Sequence, residues 1–323
     1  MELKINTADR IVWLDWIKVL AILSIIWGHF FSEGHLYLYV FSVQVFCVIS
    51  GFLYKKLPNW WICLKKCFWQ LFIPTVIMSL MMQLEAYFRC LANGTDYDIS
   101  WFWFFEWLLL GNRWCMGPCW YFYSLIVMRL IMQAMPEKWW AYVVLFVTMS
   151  VGAVCLHYTG IEVSNANTNV LVCMPFFLIG VSLNPLKSAL CQLSNFFVEV
   201  GIFVVSLLLI ILCGHYNGYV WMYLCGFGNS FVLYLAGGMA GFMMLYTISL
   251  WLSKLPYRSM VLTLSKGSIL IIGLHIILVR RLTDLPGRIW IEDLLMAVMI
   301  LLFFVPVVKL AELFFPLLLG RHR

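Results

Sequence analysis

The sequence predicts an all-α fold, a bundle of about ten membrane-spanning helices with both termini in the cytoplasm. Hydrophobic residues make up 64% of the chain and charged residues only 11%, whereas a soluble domain has about 25% charged residues. Apolar runs of about 18 residues or more recur from end to end, and each can cross a bilayer roughly 30 Å thick. Aromatic residues reach 17%, which suits rings at membrane interfaces. We therefore expect residues 1–323 to form a single integral-membrane domain.

Ten apolar runs are the predicted spans. They cover residues 12–31, 36–54, 67–87, 118–135, 139–157, 169–183, 196–213, 228–252, 262–280 and 289–318. Residues 101–110 are apolar but too short to cross, so we expect them to lie at the interface or to re-enter. The last run is long enough to be tilted or broken, and Pro306 is where a kink would form.

The distribution of basic residues predicts the orientation. With the N-terminus in the cytoplasm most lysines and arginines face inside, and those left outside are Arg89, Arg113, Arg280, Arg281 and Arg288. Such a positive-inside bias supports this orientation. The location that we expect is a bacterial inner membrane. The first run is long and no small-residue cleavage site follows it, so it is predicted to remain as a span. The formal charge of +6 does not indicate nucleic-acid binding, because the basic residues are scattered.

The first run carries three ionisable residues that hydrocarbon penalises. Asp15 and Lys18 are three residues apart, so they can pair on one helix face near its cytoplasmic end. His29 lies fourteen residues beyond Asp15, about 21 Å along a helix. Glu33, one turn further, can accept a hydrogen bond from the imidazole and raise its basicity. The alternatives are a self-neutralising interfacial pair and a histidine wetted by headgroups at the end of the span.

A second histidine at membrane depth favours a polar cavity inside the bundle. His275 follows a cytoplasmic cluster and lies deep in the ninth run. Ionisable residues at such depth are functional-site hypotheses by default, although a single packing histidine is the alternative. Most cysteines lie inside apolar runs and are expected to be small buried hydrophobes. Cys90, Cys115 and Cys119 share one outer region, where a disulfide is left open.

Several motifs occur in an order that resembles the membrane acyltransferase-3 family. Their residues in chain order are Arg10-x4-Asp15-x2-Lys18 with Gly28-His29, Ser50-Gly51-Phe52-Leu53, Lys65-Lys66 with Pro74, Trp120-Tyr121-Phe122, Pro175-x-Phe177-x-x-Gly180, and Ser265 with His275. The family usually has arginine four residues before the proline of its third helix, where this chain has Gln70. A tyrosine is common near the position of Gly273. The resemblance covers most of the chain.

The resemblance implies transfer of an acyl group, commonly acetyl from acetyl-CoA, to a hydroxyl of an extracytoplasmic or lipid-linked glycan. In the mechanism that we predict, His29 is the general base and Glu33 holds its ring. The residues predicted to bind the acyl donor are Arg10, Asp15, Lys18, Lys65 and Lys66. The candidates for contacting substrate or the oxyanion are Ser50, Trp120, Tyr121 and His275. Direct transfer and transient acylation of His29 both remain open. No metal is predicted, and a homo-oligomer is left open.

Two other classes of function fit a polytopic protein with buried polar residues. One is a transporter or flippase for a glycan or a lipid-linked intermediate, although the internal symmetry typical of transporters is not evident. The other is a non-catalytic sensor that binds an acyl donor without turnover. A carrier is expected to tolerate loss of His29 better than an enzyme would.

Overall fold

In the computed structural model, the described residues are 11–30, 34–97, 101–111, 117–160, 165–186, 195–283 and 289–321. Their regular structure is helical, without a β-strand, as the sequence predicts. The α-helices in chain order are α1 Val12–Gly28, α2 His35–Tyr39, α3 Ser42–Phe52, α4 Trp60–Cys67, α5 Ile73–Ala92, α6 Trp101–Leu110, α7 Trp120–Ala134, α8 Trp139–Thr159, α9 Val170–Leu183, α10 Phe196–Asn217, α11 Phe231–Leu252, α12 Arg258–Lys266, α13 Ser268–Leu282 and α14 Trp290–Phe314.

Helices overlap each of the ten predicted spans, but fewer are long enough to cross a bilayer. Among the described residues, six helical stretches have the length and apolarity to cross, or seven when a bent pair counts as one span. The six are His35–Phe52, Trp60–Ala92, Trp139–Thr159, Phe196–Asn217, Phe231–Leu252 and Trp290–Phe314. The chain is therefore a multi-pass helical membrane protein. The count of ten and the orientation of the termini remain predictions.

The sequence predicts a short apolar segment at 101–110 and a tilted or broken last span, and the helix bounds describe both. The segment 101–110 forms the ten-residue helix α6, which is too short to cross a bilayer. The last predicted span is helical from Trp290 to Phe314 and continues through Pro306. A short 3₁₀ turn, Pro316–Leu319, then follows. The apolar run 289–318 therefore contains a helix and a separate terminal turn.

Helix α1 occupies the centre of the bundle. It packs against α3, α11, α12, α13 and α14. Burial on most sides explains why this helix is apolar nearly all round, which is typical of a core or membrane helix. It also means that the polar residues of α1 meet protein side chains from the surrounding helices.

Close contact of α3 with α9 uses a glycine from each helix. A Cβ at Gly51 would overlap the carbonyl group of Phe177, and a Cβ at Gly180 would overlap that of Val48. Small residues permit such close approach of membrane helices. The Ser-Gly motif of α3 and the Phe-x-x-Gly motif of α9 are thus two halves of one contact.

A sharp bend separates α12 from α13. The two helices meet at 82° across Gly267. Val308 of α14 packs so closely against Gly267 that a Cβ there would overlap its side chain. Ser265 lies at the end of α12 and His275 lies in α13. With this bend between them, Ser265 contacts one end of α1 and His275 contacts the other.

Ion pairs join helices at both ends of the bundle. Glu85 of α5 accepts a hydrogen bond from Arg281 of α13 at 2.9 Å and lies 3.5 Å from Arg89. At the other end, Glu312 of α14 lies 2.9 Å from Arg321 and 3.7 Å from Lys266. These pairs tie α5 to α13 and α14 to α12.

The cysteines of the described region are free thiols. Cys90 is half-buried and Cys119 is buried, and neither forms a disulfide. Cys115, the third cysteine of the outer region, lies outside the described residues.

Candidate active site

A cavity of about 340 Å³ lies beside the C-terminal end of α1. Both intramembrane histidines, His29 and His275, border it, together with Trp120 and Tyr121 at the start of α7. Residues of α3, and the segment from Val220 to Tyr223, complete its walls. A concave site with mostly apolar walls and a few polar groups is the usual form of a small-molecule site.

His29 ends α1 and lies at this cavity. Its backbone N–H is bonded to the carbonyls of Ile25 and Ile26, so the helix itself fixes the position of the residue. The imidazole packs against the ring of His275, with 5.1 Å between ring centroids and 40° between planes. Tyr39 approaches it edge-on at 6.4 Å. Glu33, the predicted partner of His29, lies outside the described residues.

His275 has a defined tautomer when its ring is neutral. Its Nδ1 lies 3.0 Å from the carbonyl oxygen of Ile271 and 2.9 Å from that of Ile272. Carbonyl oxygens only accept hydrogen bonds, so Nδ1 carries the proton and Nε2 is the acceptor. Within the described chain, Nε2 is buried and has no hydrogen-bond partner. A basic nitrogen is therefore held next to His29 by the backbone of α13.

Two residues of α3 that border the cavity, Ser42 and Gln44, each carry a buried polar atom without a partner among the described residues. These atoms are the Oγ of Ser42 and the Oε1 of Gln44. The amide nitrogen of Gln44 donates to the carbonyl of Tyr39 at 3.1 Å, which fixes the amide group. Leaving a buried polar group unpaired costs about 1–3 kcal/mol. With His275 Nε2, these atoms indicate a cavity suited to a ligand that carries hydroxyl or carbonyl groups.

The candidates on α7 have different surroundings. Trp120 is 7% exposed and forms part of the cavity wall. The hydroxyl group of Tyr121 lies 2.8 Å from the hydroxyl group of Ser50 on α3. Ser50 is therefore connected to the cavity by its hydrogen bond with Tyr121, which borders it. In such a pair one hydroxyl donates, and the proton of the other remains available to a ligand.

At the opposite end of α1, the structure explains the buried carboxylate. Asp15 is 8% exposed, and its Oδ1 accepts a hydrogen bond of 2.6 Å from the hydroxyl group of Ser265. The sequence motif of α1 therefore contacts the motif that contains Ser265 and His275 at two places. Asp15 pairs with Ser265 at one end, and His29 contacts His275 at the other, about 21 Å away along α1.

The other predicted donor-binding residues do not line the cavity. Lys65 and Lys66 are exposed in the last turn of α4, and Lys18 is half-buried on α1. Arg10 lies outside the described residues. A π-helical turn, Phe68–Phe72, follows α4 and contains Gln70. Such turns interrupt α-helices frequently at functional sites.

Sequence reasoning did not select Arg280, Gln44 and Ser42 as site residues. The signal for Arg280 is periodic, because Ile272, His275, Ile276 and Arg280 repeat at helical spacing and all border the cavity. Gln44 and Ser42 are polar residues in an otherwise apolar run. Among the described residues, no group of three or more His, Cys, Asp or Glu side chains is placed to hold a metal ion.

The fold and cavity define a class: a multi-pass helical membrane protein with two adjacent histidines at an internal site. The family model of the acyltransferase domain, that of acyltransferase-3, matches residues 11–311. The chain therefore belongs to the membrane acyltransferase-3 family, as its motifs predict. No curated protein and no solved structure matches the chain significantly.

Proposed function

We propose that this membrane acyltransferase moves an acyl group, most simply acetyl, from cytoplasmic acyl-CoA to a hydroxyl of an extracytoplasmic or lipid-linked glycan. The contact between His29 and His275 at an internal cavity carries the proposal. Family membership supports acyl transfer. The polar atoms that border the cavity support an acceptor with hydroxyl groups.

In the proposed reaction His29 is the general base. It takes the proton of the acceptor hydroxyl as the oxygen forms a bond to the thioester carbonyl carbon. The tetrahedral intermediate then breaks its carbon–sulfur bond, and the leaving thiolate takes the proton from His29. His275 assists because its Nε2 is an acceptor held beside the His29 ring. An imidazolium at His29 would have this nitrogen as a neighbouring acceptor.

The developing oxyanion needs hydrogen-bond donors. Tyr121 is the donor that the cavity offers, because its hydroxyl group is oriented by Ser50. The indole of Trp120 provides a flat apolar wall suited to the face of a sugar ring.

Donor binding is proposed for the opposite end of the bundle. Exposed Lys65 and Lys66, with Arg10 and Lys18, would bind the phosphates of coenzyme A by charge. The long pantetheine arm would then extend along α1 towards the cavity. Asp15 has a supporting role at this end, since Ser265 already occupies its Oδ1.

The test measures the ester-linked acyl groups on the surface glycans of the host cell. Deleting the gene is expected to lower the ester-linked acyl content of the surface glycans of the host cell, and wild type is expected to restore it. His29→Ala is expected to leave the content at the deletion level at equal protein abundance. His215→Ala is the matched control, because His215 is exposed on α10 and does not border the cavity.

Each outcome separates the candidate functions. Unchanged ester content in the deletion strain would contradict the acyltransferase. Full restoration by His29→Ala would exclude His29 as the base. A transporter predicts that purified protein in vesicles transfers no labelled acetyl from acetyl-CoA, whereas the acyltransferase transfers it.

A further inference from the structure

The C-terminal part of α13 places a cation at the cavity. Arg280 borders the same cavity as His29 and His275, on the helix face that also carries Ile272 and Ile276. It lies five residues beyond His275, about 7.5 Å along the helix. Arg280 is exposed, which indicates that this part of the wall is the mouth of the cavity.

The neighbouring arginine is used differently. Arg281 donates to Glu85 at 2.9 Å and is thereby tied to α5. Among the described residues, the guanidinium of Arg280 has no ion-pair partner. Within that part of the chain, one arginine of the adjacent pair is held in a structural ion pair and the other is not.

The described residues of the cavity wall add no opposing charge. Among the described residues that border it, Arg280 is the only one that carries a full charge, and none is acidic. The rest are aromatic, aliphatic or neutral polar side chains, including Trp120, Trp221 and Tyr223. Arginine recognises carboxylate and phosphate groups in a bidentate manner.

We infer that Arg280 binds an anionic group of the acceptor, so that the enzyme prefers a saccharide carrying a carboxylate or a phosphate in addition to the acylated hydroxyl. This inference rests on the proposed acyltransferase function and adds the charge class of its acceptor. The anionic group is either a carboxylate on the sugar or a phosphate that links the sugar to a carrier. The aromatic side chains of the cavity would contact the ring while Arg280 fixes its direction.

The experiment compares acceptors that differ in charge. Vesicles containing the full chain receive labelled acetyl-CoA and methyl glucoside, methyl glucuronoside or glucose 1-phosphate. We expect the KM of the wild type to be at least about tenfold lower for one charged acceptor than for the neutral one. The better of the two charged acceptors shows whether the anion is a carboxylate or a phosphate.

Variants at the two arginines provide a matched pair. Arg280→Gln is expected to abolish the preference for charge while kcat changes less than about threefold, and Arg280→Lys is expected to keep part of it. Arg281→Gln is expected to keep the full preference. An unchanged preference in Arg280→Gln would overturn the inference. So would a rise in the KM for acetyl-CoA alone, because the anion bound would then belong to the donor.

A second measurement separates this inference from the proposed function. Inorganic phosphate and methyl glucuronoside are added to the purified protein without donor, and thermal unfolding is followed. Protection of the wild type but not of Arg280→Gln supports the anion site even where no acyl transfer is detected, in which case only the enzymatic function fails. Equal protection, or none, for both proteins overturns the anion site whatever the transfer assay shows.

Discussion

The buried polar residues at the two ends of α1 have different surroundings. At the Asp15 end, the carboxylate accepts a hydrogen bond of 2.6 Å from the Ser265 hydroxyl. At the His29 end, the ring contacts His275 beside a cavity. There the Nε2 of His275 and nearby polar atoms of α3 have no partner among the described residues.

This difference indicates that the Asp15 end is a structural contact and that the His29 end is the candidate site. Both ends carry residues that are costly at membrane depth, and both therefore attract a functional interpretation. The hydrogen bond between Ser265 and Asp15 joins two protein side chains and fixes α1 against α12. Polar atoms left without a protein partner beside a cavity have hydrogen-bonding capacity for a substrate. We therefore propose that the reaction takes place at the His29 end and that the Asp15–Ser265 contact holds α1 in place.

The largest expected effect is at the two histidines. His29→Ala and His275→Gln are each expected to lower kcat about 10²–10⁴-fold, the usual contribution of a general base and its partner. Because the rings act as a unit, the double variant is expected to lose little more than the worse single variant. Initial rates of acetyl transfer at equal protein amounts measure this.

His215→Ala serves as the control for loss of a histidine as such. Multiplicative losses in the double variant would contradict joint action, because each ring would then contribute independently. A wild-type rate in His275→Gln would exclude any role of its Nε2, because glutamine does not reproduce the fixed acceptor.

The sequence predicted the helical class and the helix positions well, because long apolar runs dominate the chain. It did not predict the break between α2 and α3 around Phe41, or the 82° bend at Gly267. At both places a glycine contacts a residue far away in the chain: Gly267 contacts Val308 of α14, and Gly241 of α11 contacts the side chain of Phe41. Contacts of this kind join residues far apart in sequence and leave no local periodicity.

The candidate site was predictable where a residue type is rare at membrane depth. Two histidines in apolar runs indicated a cavity, and the structure places them in contact. The partner of Asp15 was not predictable, because a serine 250 positions away has no distinctive spacing. Arg280 was interpreted only as an outer cation, since charge counting does not show which face of a helix borders a cavity.

At the Asp15 end, the expected effect is on stability. Ser265→Ala removes the hydroxyl donor to a buried carboxylate and is expected to destabilise the folded protein by about 1–3 kcal/mol. The value of kcat per folded molecule is expected to remain within about threefold. Thermal unfolding in detergent and transfer rates measure the two quantities.

Ser249→Ala is the matched control for this change. Ser249 is also fully buried, but its hydroxyl donates to the carbonyl of Leu245 within its own helix. Its loss is expected to cost less than that of Ser265. If Ser265→Ala were as stable as the wild type and its kcat fell strongly, the Asp15 end would take part in the reaction and would not be only a structural contact.

The smallest expected effect concerns the exposed lysines of α4. Lys65→Gln with Lys66→Gln is expected to raise the KM for acetyl-CoA about 2–10-fold, because exposed charge pairs contribute only about 0.2–1 kcal/mol each. The effect should shrink as salt is raised, since the lysines and the donor phosphates are screened. Lys254→Gln, an exposed lysine following α11, is the control. A fall in kcat without a change in KM would contradict donor binding at this end, because these lysines do not border the cavity and have no route to the reacting atoms.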